Sequence, residues 1–166
     1  MTPAAPTHDD LLPLVAAAGT VADHGSLRPW RLIELRGPSR HDLGRAMVVA
    51  SGLDDEAGAR MAAKPLRAPL LIAVVAVHHP SIKVQRWEQE ATASGVAHVL
   101  SLLLSDAGWG VMWRTGPLTR SEPVRQLHGL AENEQLLGWL YVGGLTEDAK
   151  PGSKSTINPA EFLAAL

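Results

Sequence analysis

The chain has 166 residues, of which 46% are hydrophobic and 19% charged, a balance typical of a globular protein with one core. Its net charge is −2, with 15 basic and 17 acidic residues and no long run of either sign, so nothing indicates nucleic-acid binding. The absence of cysteine excludes disulfides, thiolate catalysis and cysteine-based zinc sites. No apolar run reaches membrane-spanning length, and no basic residue precedes the first apolar segment as in a secretory signal. We therefore expect one cytoplasmic domain, residues 1–166, with no membrane partner.

Helical and strand periodicities alternate along the chain. Helices with an apolar side are predicted at residues 9–19, 40–51, 60–64, 88–106 and 121–127. Strands, either alternating or continuously apolar, are predicted at residues 30–36, 69–77 and 135–142. This order favours a layered α/β (α+β) domain in which a central sheet is flanked by helices.

Local residue types predict the structure of the segments between these elements. Ser39 is placed to cap the helix that follows it. Residues 52–59 are acidic and contain glycine, which favours a loop. Residues 1–6 and 146–158 are small or polar and should be poorly ordered, whereas residues 160–166 favour a short docking helix.

The helix predicted at residues 88–106 is apolar on almost every side. Such a helix is buried on almost every side, either at the centre of the core or across a dimer interface, so we expect a homodimer. Glycine suits the residue that ends a helix, and Gly108 follows this one. A short apolar run then leads to four residues, Trp113, Arg114, Thr115 and Gly116. An arginine, a hydroxyl and a glycine beside a tryptophan suit a cofactor-binding loop, and a solvated turn is the alternative.

Several ordered motifs resemble those of a known family. The sequence Trp-Glu-Gln-Glu at 87–90, a helix of small residues, and then Gly-Trp-Gly-x-x-Trp-Arg-Thr-Gly at 108–116 is similar to the small single-domain branch of the nitroreductase family. The loop Asp23–Trp30 and the segment Lys64–Val77 also match, so the resemblance covers roughly residues 7–144. Members of this branch are FMN-dependent, NAD(P)H-oxidising homodimers. The resemblance therefore implies a nitroreductase-like layered fold with a buried central helix, FMN as cofactor and NAD(P)H as electron donor.

The resemblance assigns cofactor-binding residues in two segments. In the family, the loop matching Asp23–Trp30 lies against the flavin, partly from the neighbouring subunit. His24 would then lie near the isoalloxazine, and Ser26 would stand where many relatives have asparagine. The residues Trp113, Arg114, Thr115 and Gly116 match the other flavin-contacting segment, where a cation or backbone N–H groups stabilise the negative charge of reduced flavin. The alternatives are a structural His24 and an ion pair between Arg114 and an acidic neighbour.

The remaining titratable residues do not suggest a catalytic group or a metal site. Glu88 and Glu90 are two residues apart on a helix and do not face each other, so their expected partners are Arg86, Lys83 or Arg67. His98, in the apolar helix, is expected to be a hydrogen-bonded core residue. His78 and His79 are adjacent on a strand and point to opposite faces, so no shared metal ion is expected.

One family motif is not found in this sequence. Relatives usually begin with a helix followed by Arg-x-Ser, which helps to hold the FMN phosphate, and no such motif precedes the first predicted helix. Two fewer charge-assisted hydrogen bonds, of about 1.5–3 kcal/mol each, would weaken FMN binding by roughly a hundredfold to several thousandfold. Arg28, Arg31 or Lys154 are candidates to compensate, whereas Lys64 and Arg67 fit a solvated strand entrance. The chain as written is therefore expected to bind FMN and riboflavin within roughly tenfold of each other.

Two functions are consistent with these observations. The first is an FMN-dependent NAD(P)H oxidoreductase with ping-pong hydride transfer through flavin N5 to a nitroaromatic or quinone-like electron acceptor. The cofactor performs this chemistry, so no catalytic side chain is required. The alternative is a flavin-poor family member that acts as a binding or scaffold protein without turnover. The colour of the purified protein separates the two.

Overall fold

An antiparallel sheet lies at the centre of the protein. The computed structural model describes residues 1–147 and 157–165, and the strands in these ranges are β1 (Trp30–Arg36), β2 (Leu70–Val77), β3 (Trp109–Arg114) and β4 (Glu134–Gly144). They pair in the order β1-β2-β4-β3, and each neighbouring pair is antiparallel. β2 is a central strand covered on both faces, which explains why its sequence is continuously apolar.

Helices cover both faces of the sheet. In the described ranges they are α1 (His8–Ala18), α2 (Pro38–Ser51), α3 (Asp55–Ala62), α4 (Arg86–Asp106) and α5 (Glu122–Leu127). The side chains of β2 alternate between two apolar clusters: Leu70, Ile72 and Val74 pack with α1 and α4, and Leu71, Ala73 and Val75 pack with α2 and α5. The predicted fold class, a central sheet flanked by helices, is confirmed in its α+β form. No helix of the described residues is long and apolar enough to cross a membrane.

Side-chain hydrogen bonds define where α1 and α4 begin. Thr7 and Asp10 form a reciprocal pair, in which the Asp10 N–H donates to Thr7 Oγ1 (3.2 Å) and the Thr7 N–H donates to Asp10 Oδ2 (2.8 Å). Before α4, the Gln85 N–H donates to Glu88 Oε2 at 2.7 Å. Gly108, at φ +86°, lets the chain turn from α4 into β3. The predicted ends of this helix are therefore close to the observed ones.

Two predictions about the segment between β1 and β2 are wrong. Ser39 does not cap α2, because the helix begins at Pro38 and the Ser39 hydroxyl donates to the Arg36 carbonyl at 2.7 Å. Residues 52–59, predicted as a loop, contain the first half of α3. Two acidic residues in the first turn of α3 suit a helix N-terminus, so they indicate a helix rather than a solvated loop.

The chain ends differ from their predicted descriptions. At the start, where we expected a frayed segment, the Thr2 N–H donates to the Gly144 carbonyl and the Gly144 N–H donates to the Ala4 carbonyl, both at 2.8 Å. Residues 148–156, within the tail predicted to be poorly ordered, lie outside the described residues. The docking helix is wrong over its described part, since residues 157–165 contain only an exposed 3₁₀ turn at Pro159–Glu161.

Within the described chain, α4 is buried along one side and exposed along the other. Val96 and Leu100 are fully buried against the sheet. Trp87 and Leu102 are 68% and 66% exposed, and His98 is exposed between them. These exposed residues fall at helical spacing and form one stripe, which we call the α4 stripe. A helix predicted to be buried on almost every side thus leaves an apolar strip uncovered by its own chain.

Candidate cofactor site

A cavity of about 570 Å³ opens where β3 ends. Its apolar and aromatic walls are Met47, Met61, Leu118, Trp139 and Tyr141. Its cations are Lys64, Arg67 and Arg114. All four residues of the predicted turn, Trp113, Arg114, Thr115 and Gly116, border it. The volume is within the range of about 300–1,000 Å³ that small-molecule sites occupy, and we call this space the β3 cavity.

Strand β3 directs Trp113 and Arg114 to opposite faces of the sheet. The Trp113 ring packs edge-on against His98 of α4, with ring centroids 4.8 Å apart. The Arg114 guanidinium carbon lies 5.5 Å from the centroid of the Tyr141 ring, on the side of the β3 cavity. His98 is exposed, so its prediction as a core residue is wrong. Arg114 has no acidic partner among the described residues, and the predicted ion-pair alternative is not observed.

The turn after β3 is held in place by hydrogen bonds. Gly116 has φ +141°, a value that favours glycine. The Thr119 hydroxyl and backbone N–H both donate to the Gly116 carbonyl, at 2.8 and 3.1 Å, and Arg120 Nη1 donates to the Leu136 carbonyl at 3.1 Å. The Thr119 bonds thus hold the Gly116 carbonyl, and the Arg120 bond ties the residues that follow to β4, an arrangement that favours a preorganised turn.

Gly138 of β4 permits β3 and β4 to approach closely at the end of β3. The sequence analysis did not predict this role. It has φ +156°, and a Cβ at this position would lie 2.4 Å from the Arg114 carbonyl oxygen and 2.6 Å from Trp113 Nε1. Those distances are too short for any side chain. Gly138 therefore sets the position of Trp113 and Arg114, and only its neighbours in space reveal this role. The Trp113 Nε1–H is buried without a partner within the described residues.

The charges around the β3 cavity are all positive. No carboxylate belongs to its described wall. Burial raises the pKa of the Tyr141 hydroxyl, and the nearby charges of Arg114 and Arg67 partly oppose this rise. Both arginines are therefore close enough to Tyr141 to act on the same group. Such a field suits an anionic ligand.

A buried histidine supports the indole of Trp139 at the cavity wall. Trp139 Nε1–H donates to His128 Nε2 at 3.1 Å, and His128 Nδ1 lies 2.7 Å from the Val124 carbonyl, which assigns the proton to Nδ1. Burial lowers the pKa of His128. The neutral ring thus has both nitrogens paired, and it fixes the orientation of Trp139.

The loop that carries His24 and Ser26 is rigid but lies elsewhere. The Asp23 carboxylate accepts the backbone N–H groups of Leu27 (3.1 Å) and Arg28 (2.7 Å). Ser26 and Arg28 adopt φ +52° and +48°, a conformation that asparagine and glycine tolerate better than most residues. A strained and well-held loop is typical of a functional site.

His24 contacts the start of α4. Its Nδ1 lies 3.3 Å from Glu88 Oε1, and the ring is 61% exposed. The backbone N–H of Gln85 and, second, His24 hold the pKa of Glu88 below its usual value. His24 borders a separate cavity of about 390 Å³ between its loop and α4. The two predicted segments thus line different cavities of one chain.

The other residues that the sequence analysis considered either form hydrogen bonds or ion pairs within the chain or lie outside the described residues. Arg31 donates to both carboxylate oxygens of Glu134, at 2.6 and 2.7 Å. Glu90 lies 2.9 Å from His78 Nε2, so its partner, like that of Glu88, is a histidine rather than the expected lysine or arginine. Lys154 belongs to the residues that the structure does not describe. Within the described ranges, no group of three or more metal-ligating side chains is placed to hold an ion.

Sequence comparison assigns the chain to one family over most of its length. The model of the nitroreductase family matches residues 2–144. YdjA of Escherichia coli strain K12, provisionally named an NAD(P)H nitroreductase, is 35% identical over 142 residues, which cover 84% of this chain and 78% of YdjA. A provisionally named NAD(P)H nitroreductase of Haemophilus influenzae is 29% identical, covering 100% of this chain and 92% of the relative.

Solved structures show the same fold. A nitroreductase-like family protein from Bacillus cereus superimposes with a TM-score of 0.84 at 24% identity, covering 100% of this chain and 88% of that one. A mutant of the FMN and NADPH-dependent nitroreductase NfnB from Sphigopyxis sp. strain HMH gives a TM-score of 0.77 at 16% identity, covering 99% and 91%.

These matches define an α+β enzyme of the oxidoreductase class. The chain belongs to the nitroreductase family, as its motifs predicted.

Proposed function

We propose that the protein is an FMN-dependent NAD(P)H oxidoreductase that reduces nitroaromatic or quinone-like compounds in a ping-pong cycle. The names of relatives support this proposal: YdjA is named for NAD(P)H, and NfnB is called FMN and NADPH-dependent. The observation that carries it is the β3 cavity, where three cations and no described carboxylate surround the turn Trp113–Gly116.

The residues of the β3 cavity fit a flavin nucleotide by size and chemistry. Its volume of about 570 Å³ suits a ligand of this class. Apolar walls at Met47, Leu118 and Trp139 suit the flat ring, and the cations suit an anion. The combination of a large apolar surface with a concentrated positive charge matches a ligand that carries a ring at one end and a phosphate at the other.

Each part of the cavity has a role in the proposed reaction. When bound, the flavin supplies hydride transfer between NAD(P)H and the acceptor. The Arg114 guanidinium stabilises the negative charge that accumulates on reduction, and the turn at Thr115 and Gly116 orients the ligand through its fixed backbone. Met47 and Trp139 exclude water from one side of the site. The open side would admit NAD(P)H and the acceptor in turn, because a ping-pong cycle uses one face twice.

The α4 stripe supports a homodimer in which the two predicted segments meet. Trp87 and Leu102 are large exposed apolar side chains on one stripe of the helix, and a second copy packed on α4 would cover both of them together. His24 lies at the start of α4, and in the family the loop that matches Asp23–Trp30 lies against the flavin partly from the neighbouring subunit, so in such a dimer we expect the His24 loop of one subunit to reach the ligand in the β3 cavity of the other. His24 and Ser26 would then act on the ligand across the interface.

The visible spectrum of the purified protein tests the flavin part of the proposal. We expect flavin absorption bands either directly or after addition of FMN and removal of excess. NADPH should bleach these bands without oxygen, and a quinone should restore them. A protein that shows no flavin bands after saturation with FMN would favour the alternative of a binding or scaffold protein.

A further inference from the structure

We propose that Lys64 and Arg67 hold the phosphate of the bound flavin nucleotide. The proposal rests on the proposed function and adds to it the residues that recognise the anionic end of the cofactor. From the sequence, these two residues fitted a solvated strand entrance, and the structure instead places both of them in the wall of the β3 cavity.

Both cations extend from a fixed 3₁₀ turn, Lys64–Arg67, between α3 and β2. The turn is anchored by Pro65, which is buried, and by a hydrogen bond from the Leu66 N–H to the Ala63 carbonyl at 3.1 Å. Just beyond it, Arg40 Nη1 donates to the Ala68 carbonyl at 2.7 Å. A fixed backbone limits the entropy that the two side chains lose when they bind.

Neither cation has a hydrogen bond or an ion pair with another described side chain. Arg31, by contrast, is held by both oxygens of Glu134, and Arg60 of the adjacent helix pairs with Glu56. Lys64 and Arg67 are both exposed, so a ligand can reach them. Cations that face a cavity without a described carboxylate are available to an anion that enters it.

The chemistry of the two side chains suits a phosphate monoester. Such a group carries up to two negative charges, and a guanidinium binds two of its oxygens while an ammonium acts as a point charge. The charge of Arg67 acts on the Tyr141 hydroxyl, as does that of Arg114, so the 3₁₀ turn and the end of β3 enclose one site. Arg114 remains for the ring end because it extends directly from the predicted ring-contacting turn.

Titration of the purified chain with FMN and with riboflavin tests the inference, because the two ligands differ only in the phosphate. We expect the wild-type protein to prefer FMN by more than about tenfold in Kd. In the double variant Lys64→Ala/Arg67→Ala, this ratio should fall below about threefold, while the Kd for riboflavin changes by less than about twofold. Quenching of flavin fluorescence measures both constants.

Arg60→Ala is the matched control, because it removes a cation from the neighbouring α3 without touching the cavity wall. It should leave the FMN-to-riboflavin ratio unchanged. Thermal unfolding should show that the double variant folds like the wild type, since both residues are exposed. If the Ala variants unfold, Lys64→Gln/Arg67→Gln keeps a polar side chain with the first three carbons at each position and tests the same charge loss.

The outcomes separate this inference from the proposed function. If the wild type binds neither flavin, the proposed function fails. If it binds both with similar affinity, or if the double variant keeps the wild-type ratio, flavin binding stands and the phosphate role of Lys64 and Arg67 is wrong. Similar affinities for FMN and riboflavin would also agree with the prediction from the sequence, which found no Arg-x-Ser motif to bind the phosphate.

Discussion

The His24 loop and the turn at the β3 cavity are both held by hydrogen bonds, but their charges differ. The loop is organised by carboxylates: Asp23 accepts two backbone N–H groups and Glu88 lies beside His24. The cavity is lined by three cations and no described carboxylate. The first region combines carboxylates with one cation, Arg28, whereas the described wall of the second presents only positive charge to an anionic group. This difference favours separate roles for the two segments, although the family resemblance assigns both of them to flavin binding.

This contrast suggests that the two regions bind different ends of the flavin nucleotide, one the phosphate and the other the ring. The phosphate belongs with Lys64 and Arg67, whereas the His24 loop suits the uncharged ring and can reach it only from another subunit.

Gly138→Val should have the largest effect, because it inserts a side chain where the Arg114 carbonyl would be 2.4 Å from the new Cβ. We expect a loss of roughly 3 kcal/mol or more in the free energy of unfolding, together with loss of flavin binding. Urea denaturation measures the first. Gly37→Val is the control, since Gly37 also has positive φ but has nothing within 4 Å of its Cβ position. Equal losses for the two variants would show that backbone strain, rather than the strand contact, is responsible.

Leu102→Asp should disrupt the proposed homodimer by placing a charge in the α4 stripe. Burial of an unpaired carboxylate at an interface should cost about 2–4 kcal/mol of association free energy. Sedimentation velocity at micromolar concentration should show a dimer for the wild type and a monomer for the variant. Val49→Asp, at a residue of α2 with similar exposure (70% against 66%), should remain dimeric. A wild-type monomer, with or without FMN, would contradict the dimer and the role of His24 across it.

Arg114→Ala should weaken flavin binding by about tenfold, because an exposed cation contributes less than a buried one. The fold should remain intact. Arg28→Ala changes a cation in the His24 loop and should have little effect on the Kd in comparison. An unchanged Kd for Arg114→Ala would mean that the guanidinium only covers Tyr141, and the contrast between the regions would then depend on Lys64 and Arg67 alone.

Low pH should reduce the free energy of unfolding through His128, which supports Trp139 at the wall of the β3 cavity. Its pKa is lowered in the folded protein, so below about pH 6.5 the unfolded chain binds the proton more readily. The contribution of neutral His128 is complete above pH 6.5 and is lost as pH falls towards the lowered pKa, with a slope of at most about 1.4 kcal/mol per pH unit. Unfolding free energies at pH 7.5 and 5.5 should differ more for the wild type than for His128→Gln. The same dependence in both would assign the effect to other groups.

Much of the fold could be predicted because it depends on local sequence. The apolar run of β2 and the small-residue helix α4 were found close to their observed bounds. The cap of α2 and the first part of α3 were missed, since a serine and a glycine-containing acidic segment fit more than one local structure. Burial on α4 was overestimated because apolar periodicity does not distinguish a core from an interface with another chain.

The family and the turn Trp113–Gly116 could be predicted without coordinates, because both depend on ordered motifs in the linear chain. The electrostatics of the site could not, because they depend on residues that folding brings together. Lys64 and Arg67 are about fifty residues before Arg114, and antiparallel pairing of β2, β4 and β3 brings them around Tyr141. The same packing pairs Arg31 with Glu134 in a salt bridge. It leaves the cations of the β3 cavity without a described acidic partner. The affinity of a charge for a ligand depends on its neighbours in space, and a linear sequence does not specify them.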